Sequence, residues 1–290
     1  MKPPKFGYLA ARDLDAALAA LQTGDAKVIA GGQSLVPMLN FRLLRPALLI
    51  DINRVAALDY LEETPAGGLR IGALARHHRL EMSPLVKRRL PVLAHAVSHI
   101  GHLAIRNRGT LGGSLSHADP SAEHLLMAVL LDATLTIRSK DATRTVKAPQ
   151  HIAGALRTTL AADELLVGVE YPPLAAGTGW AFEEFARRSG DFAIAAVGVL
   201  MERSGGKVAK TRLAVSGAAH GPVRVPEAEA VLEGSACQAG ALDAAADAVR
   251  RTVEPNNDLH ASPELRHRVL GTLLRRACAT AWARAGTEAA

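Results

Sequence analysis

Twice in this 290-residue chain a pair of adjacent glycines is followed within two residues by a serine. The first instance is Ala30-Gly31-Gly32-Gln33-Ser34-Leu35, the second Arg106-Asn107-Arg108-Gly109-Thr110-Leu111-Gly112-Gly113-Ser114. The first follows Lys27-Val28-Ile29, which reads as a short strand, and precedes Leu35, Met38 and Leu39, which share one helix face. A chain that passes from strand to helix through two glycines folds there as a small α/β unit. Glycines adopt positive φ and let another group approach the backbone closely. Amides at the start of the following helix can hold an anion, and Gln33 and Ser34 add side-chain hydrogen bonds. Neither loop is GxxxxGK[ST] or GxGxxG. A single glycine pair after a strand also serves as a plain turn. Two loops of this make-up point to the phosphates of a nucleotide cofactor, and spacing alone goes no further.

Composition narrows the class. Hydrophobic residues make up 49% and charged residues 21%, ordinary globular usage that excludes extensive disorder. Two cysteines, Cys237 and Cys278, are too few for a disulfide scaffold, a cysteine-ligated iron–sulfur cluster or an all-cysteine zinc site within the chain. They read as buried thiols of a reducing compartment. The longest wholly apolar run, Leu125 to Leu131, falls far short of the ~20 residues of a membrane span. The N-terminal residues lack the apolar core of a signal peptide, so a cytoplasmic protein is expected. The net charge of +6 comes with only 3% aromatics and scattered Lys and Arg, which does not suit a nucleic-acid binder.

Apolar periodicity sets out three stretches. Asp13 caps a helix carrying Leu14, Ala17, Leu18 and Leu21, which Gly24 ends, and Leu48 to Ile52 reads as a strand. Leu61 and Leu69-Arg70-Ile71 flank the turn Thr64 to Gly68. Two or three short helices follow over 76–100, then an apolar helix over 122–131 and strands over 133–138 and 165–171. Beyond the Pro172-Pro173 patch, strands are expected over 180–187, 194–203 and 207–216, the last two joined by Ser204-Gly205-Gly206. Helices close the chain over 226–233, 240–252 and 263–284. The class is α+β.

Both loops, followed by His117-Ala118-Asp119-Pro120 and later by Arg187-Arg188-Ser189-Gly190-Asp191-Phe192-Ala193, closely resemble the FAD-binding medium subunit of molybdenum hydroxylases. The family includes the medium subunit of aerobic CO dehydrogenase and the flavin domain of xanthine dehydrogenase, and the resemblance runs over essentially the whole chain. It implies a p-cresol methylhydroxylase-type FAD domain in two parts, 1–55 and 56–175. A C-terminal domain, 176–290, would add a three-stranded antiparallel sheet with helices. FAD, held without a covalent bond, would lie between the two parts. Ile29, Ala30, Gly31, Gly32, Gln33, Ser34 and Leu35 would face its pyrophosphate from one side, and Thr110, Gly112, Gly113 and Ser114 from the other. Glu123 occupies the position of a carboxylate that hydrogen-bonds the sugar or adenine side. Ile100 and Leu166 match apolar residues packed on flavin or adenine. Phe192 stands where relatives often have a Tyr over the flavin; it can stack but not hydrogen-bond. Ala186 replaces a frequent Lys, with Arg187 one step on.

The resemblance further implies a small subunit with two [2Fe–2S] clusters and a large molybdopterin subunit, as a dimer of heterotrimers. This chain would pass electrons from the clusters to an external acceptor and carry no metal and no acid–base catalyst of its own. Two other readings are a stand-alone flavin oxidase or dehydrogenase of the same fold and a nucleotide-binding interaction protein that has lost FAD. Arg106 and Arg108 suit either a phosphate contact or a loop brace. His95, His99 and His102 fall at i, i+4 and i+7, one face of a helix, with no further ligand to make a zinc site.

Overall fold

The computed structural model describes residues 2–286. Its first sheet is parallel, in the order β1-β3-β2, from β1 (Gly7–Ala10), β2 (Ala26–Ile29) and β3 (Leu48–Asp51). Helix α1 (Leu14–Leu21) starts at Asp13, whose Oδ1 accepts from the Ala16 amide at 2.8 Å, and buries Ala17, Leu18 and Leu21. Helix α2 (Leu35–Asn40) follows the first glycine loop. Strand β1 has no sequence signal, because most of its residues are exposed and no apolar alternation marks it. Tyr8, opposite Leu49 in the register, reaches Asp51 Oδ2 at 2.5 Å.

The second sheet is antiparallel and five-stranded, ordered β4-β5-β10-β6-β7. It contains β4 (Leu61–Glu63), β5 (Leu69–Gly72), β6 (Thr134–Arg138), β7 (Thr143–Lys147) and the nearly fully buried β10 (Leu165–Tyr171). Between β5 and β6 run α3 (His77–Met82), α4 (Pro84–Arg89), α5 (Pro91–Val97), α6 (Leu103–Arg106), α7 (Leu111–His117) and α8 (Glu123–Leu130). Pro84 and Pro91 open their helices, where the missing amide costs nothing. A short helix α9 (Ala148–His151) and the small hairpin β8 (Ile152–Gly154) and β9 (Arg157–Thr158) precede β10. The expected histidine face does not form. Helix α5 ends at Val97, so His99 lies in the following turn and His102 caps α6 instead. The cause is a tightening turn that reaches Gly101 at φ +48°.

The third sheet is ordered β11-β12-β13-β14: β11 (Gly179–Phe185), β12 (Ala195–Ser204), β13 (Lys207–Ser216) and β14 (Val223–Arg224). The sequence expectation of three strands lacks β14, a two-residue edge that pairs Ala214 with Arg224 and is too short to show a pattern. Helices α10 (Pro226–Leu232), α11 (Ala239–Thr252) and α12 (Pro263–Arg284) follow. Two glycines let this sheet be clamped by helices. A Cβ on Gly179 would lie 1.9 Å from Ala281 O of α12, and one on Gly198 would lie 2.7 Å from Leu130 Cδ2 of α8. The largest core runs through that second contact, joining Leu125, Leu126 and Leu130 to Phe182, Ala196 and Leu200. No described helix is long and apolar enough to cross a membrane.

Candidate functional site

The two glycine loops touch. A Cβ on Gly31 would lie 2.3 Å from Arg108 O and 2.8 Å from Gly109 Cα, closer than any real side chain allows. Gly32, at φ +73°, supplies the left-handed turn out of β2. In the second loop a Cβ on Gly112 would lie 2.5 Å from that of Ala73, so Gly112 lets α7 start hard against the end of β5. A polar brace spans the contact. Asn53 Nδ2 donates to Ala30 O at 2.9 Å, Arg76 Nη2 donates to Asn53 Oδ1 at 2.6 Å, and Arg76 Nη1 donates to Arg108 O. Sequence reading missed Asn53 and Arg76. Their one signal is position, immediately after β3 and shortly after β5, and it has meaning only once the loops are known to meet.

The loops differ in what they offer. In the second, every amide from Leu111 to Ser114 is used internally. Leu111 donates to Ala75 O (3.0 Å), Gly112 to Ala73 O (2.9 Å), Gly113 to Thr110 Oγ1 (3.1 Å) and Ser114 to Thr110 O (3.0 Å). In the first, the amides of Gly31, Gly32, Gln33, Ser34 and Leu35 donate to no acceptor among the described residues. Gln33 Nε2 folds back on Gly31 O at 3.1 Å, and the Ser34 hydroxyl does not cap α2. Consecutive free amides in a glycine turn form an anion-binding concavity. The first loop therefore has the open donors, and the second contributes a wall and the Ser114 hydroxyl. Arg106 is spent as a brace, with Nε on Glu81 Oε2 at 2.8 Å and Nη1 on Ile100 O and Gly101 O at 3.1 and 2.9 Å. The Arg108 guanidinium is exposed.

Glu123 is the first residue of α8 and half-buried. Burial pushes its carboxyl up to about 8, and the carboxylates of Glu184 and Asp119 push the same way. Burial also raises Glu184, on β11, to about 7, and its Oε2 is closed from water with no partner among the described residues. Near neutral pH Glu123 is thus mostly protonated and can donate a hydrogen bond as well as accept one. Ser121 Oγ donates to Ala193 O at 3.0 Å, and the Gly217 amide donates to Pro120 O at 3.0 Å. These bonds tie the 119–123 corner to the third sheet's loops.

The remaining residues lie apart from the loops. Phe192 stands 72% exposed between β11 and β12. Arg187 Nη2 donates to Leu259 O at 3.0 Å, which ties its loop to the 258–261 segment. Ile100 is half-buried after α5, and Leu166 is 1% exposed inside the main core, with no open face of its own. Ile29 and Ala30 end β2, where the sheet hands over to the loop. Sequence reading also missed Arg266, 2% exposed on α12, whose Nη1 donates to Ile194 O at 2.6 Å and Gly217 O at 2.5 Å. A lone Arg in a charged helix gives no sign of burial. Among the described residues no cluster of ligating side chains could hold a metal.

Two family models match the chain. Residues 4–174 match the FAD binding domain in molybdopterin dehydrogenase, and residues 180–281 the CO dehydrogenase flavoprotein C-terminal domain. The 6-hydroxypseudooxynicotine dehydrogenase complex subunit alpha of Paenarthrobacter nicotinovorans is 41% identical, over 98% of this chain and 97% of the relative. The nicotine 6-hydroxylase medium subunit of the same organism is 39% identical, over 98% and 100%. A solved structure of the Hydrogenophaga pseudoflava carbon monoxide dehydrogenase that lacks the Mo-pyranopterin moiety superposes with a TM-score of 0.95, at 38% identity, over 99% of this chain and 100% of that one. The residues fit the cofactor these matches imply, with five open amides, a cradle that a Cβ would fill and a carboxyl able to donate. The chain therefore belongs to the family of FAD-binding medium subunits of molybdenum hydroxylases, an oxidoreductase family.

Proposed function

We propose that this chain is the electron-transfer subunit of a cytoplasmic three-subunit hydroxylase. It takes electrons from [2Fe–2S] clusters on a small partner and passes them to an external acceptor, while a large molybdopterin partner oxidises the substrate. The complex would be a dimer of heterotrimers. The observation that carries the reading is the row of open amides from Gly31 to Leu35, set beside a second loop whose amides from Leu111 to Ser114 are satisfied internally. Those amides would hold the FAD pyrophosphate, with Gln33 and Ser34 at its edge and Thr110, Gly112, Gly113 and Ser114 as the opposite wall.

Protonated Glu123 would donate to, or accept from, a hydroxyl or ring nitrogen of the cofactor. Phe192 would shield the flavin from water, and Arg187 would hold the shielding loop to the 258–261 segment. Ile100 and Leu166 would back the cofactor through the core rather than by open contact. When bound, FAD accepts electrons singly and gives them up in pairs. The chain would divide into 1–55, 56–175 and 176–290, with the first two parts forming a p-cresol methylhydroxylase-type unit; this division is supported by the three larger sheets, each of which falls within one part. The names of the two nicotine-related relatives make N-heterocycles the first substrate class to try with the assembled complex.

The test begins with the purified chain's visible spectrum and identification of the acid-released cofactor. Rapid mixing under anaerobic conditions with the reduced iron–sulfur partner follows. Released FAD that is reduced by the partner supports the reading. A flavin reduced by a small substrate with this chain alone would favour a stand-alone dehydrogenase, and a folded chain that takes up no FAD would refute both.

A further inference from the structure

Two buried histidines lie behind the second glycine loop. His77 opens α3 and His124 sits in the first turn of α8; His124 Nε2 is 3.0 Å from His77 Nδ1, and the rings are 4.8 Å apart. Neither ring belongs to the phosphate cradle itself. The His77 amide donates to Gly109 O at 3.1 Å, and a Cβ on Gly109 would lie 2.4 Å from His77 Nε2. Gly109 in turn is packed against Gly31. A continuous column therefore runs His124, His77, Gly109, Gly31, from the core helix to the cradle.

The protons in this column can be assigned. His124 Nδ1 is closed from water and has no partner among the described residues. A neutral imidazole carries one N–H, and a buried N–H without an acceptor is the costlier orphan. The His124 proton is therefore on Nε2, donated to His77 Nδ1. His77 must then carry its own proton on Nε2, which faces Gly109 of the loop and, unlike His124 Nδ1, is not sealed from water. Burial lowers the pKa of both rings and keeps them neutral; Arg76 and Arg106 beside His77 act in the same sense.

We infer that His77, locked in its Nε2–H form by His124, is a positioning residue that sets the spacing of the two glycine loops and so the width of the cradle for the FAD pyrophosphate. This rests on the assignment of the cradle proposed above.

Long-range proton–nitrogen spectra of the full chain labelled with 15N-histidine test the assignment directly. Two coupled rings, both in the Nε2–H form at pH 7, are expected; an Nδ1–H form of either ring overturns the inference. His124→Phe keeps the ring and deletes the donor, and FAD titration of the deflavinated chain should show about tenfold weaker binding. His124→Gln supplies an N–H and should restore affinity to within about twofold, which a mere volume effect would not do. Should His124→Phe fail to fold, the wild-type spectra still decide. Gly31→Ala separates the two claims. If it abolishes FAD binding while His124→Phe binds as wild type, the positioning role falls and the cradle stands. If Gly31→Ala itself binds FAD as wild type, the cradle assignment is wrong.

Discussion

Arg266 and Asp258 form a two-pronged pair, with both carboxylate oxygens 2.8 Å from Arg266 Nη2. The other arm of the guanidinium holds the carbonyls of Ile194 and Gly217. One buried side chain thus fastens the loop of Phe192, the end of β13 and the 258–261 segment. Arg266→Met would leave two carbonyls without a donor. A loss of about 2–4 kcal/mol is expected in urea unfolding. Asp258→Ala should cost about 1–3 kcal/mol, because it leaves the buried Arg266 guanidinium without its carboxylate partner.

Gly31→Ala places a methyl where Arg108 O and Gly109 Cα already sit. The loops must part, at a cost of about 1–3 kcal/mol. Flavin content after purification should drop well below half, read from the ratio of visible to ultraviolet absorbance. Gly240→Ala, with open space at its Cβ, serves as the control and should retain its flavin.

Phe192→Ala should leave the unfolding free energy unchanged within about 0.5 kcal/mol, because the ring is mostly exposed. If the ring covers the isoalloxazine, the bound flavin's fluorescence and its reaction with oxygen will rise. Unchanged flavin spectra and oxygen reactivity would show that the ring covers something else.

Stability of the apo chain should fall at both ends of the pH range. The His77 pKa is lowered from 6.5 to about 4, chiefly by burial, and burial lowers His124 as well. Between those values the unfolded chain binds the extra proton, so this contribution is intact above pH 6.5 and is lost as pH falls toward 4. Glu123 is raised from 4.5 to about 8, and Glu184 from 4.5 to about 7. Here the folded chain holds the extra protons, so stability falls as pH rises from 4.5 through 7 and 8. Urea unfolding midpoints across pH 4–9 should trace a maximum. Glu123→Gln should flatten the alkaline limb while keeping FAD binding at pH 7, where the native side chain is already largely protonated.

What was legible in the sequence was whatever repeats along one element. Leu165–Tyr171 shows its burial as a near-continuous apolar run, and α12 announces itself by Ser262 and Pro263 at its start. The glycine loops were legible because special backbone conformations demand a special residue. Strand β1 was not, since its place depends on the free edge of Leu48–Asp51 rather than on its own side chains. The unequal roles of the two loops were hidden for a similar reason. Whether an amide is free depends on acceptors such as Ala73 O and Ala75 O, far away in sequence from Gly112 and Leu111, whose amides they satisfy. Arg106 shows the same limit, as only Glu81 and the Ile100 and Gly101 carbonyls decide that it is a brace.

Leu130 of α8 nests where Gly198 has no side chain, so β12 is gripped by a helix from the preceding sheet's territory. The chain thus carries two sequence modules but only one mechanical body at this point. Exchanging residues 180–281 for those of a relative would succeed or fail on the fit at Leu130 and Gly198 as much as on the linker. A hybrid with Ala at position 198 would need only the tips of Leu130 and Met127 to shift, whereas Val would crowd both side chains and strain α8 and with it the 119–123 corner, so a graft made for its acceptor side would also disturb the cofactor side.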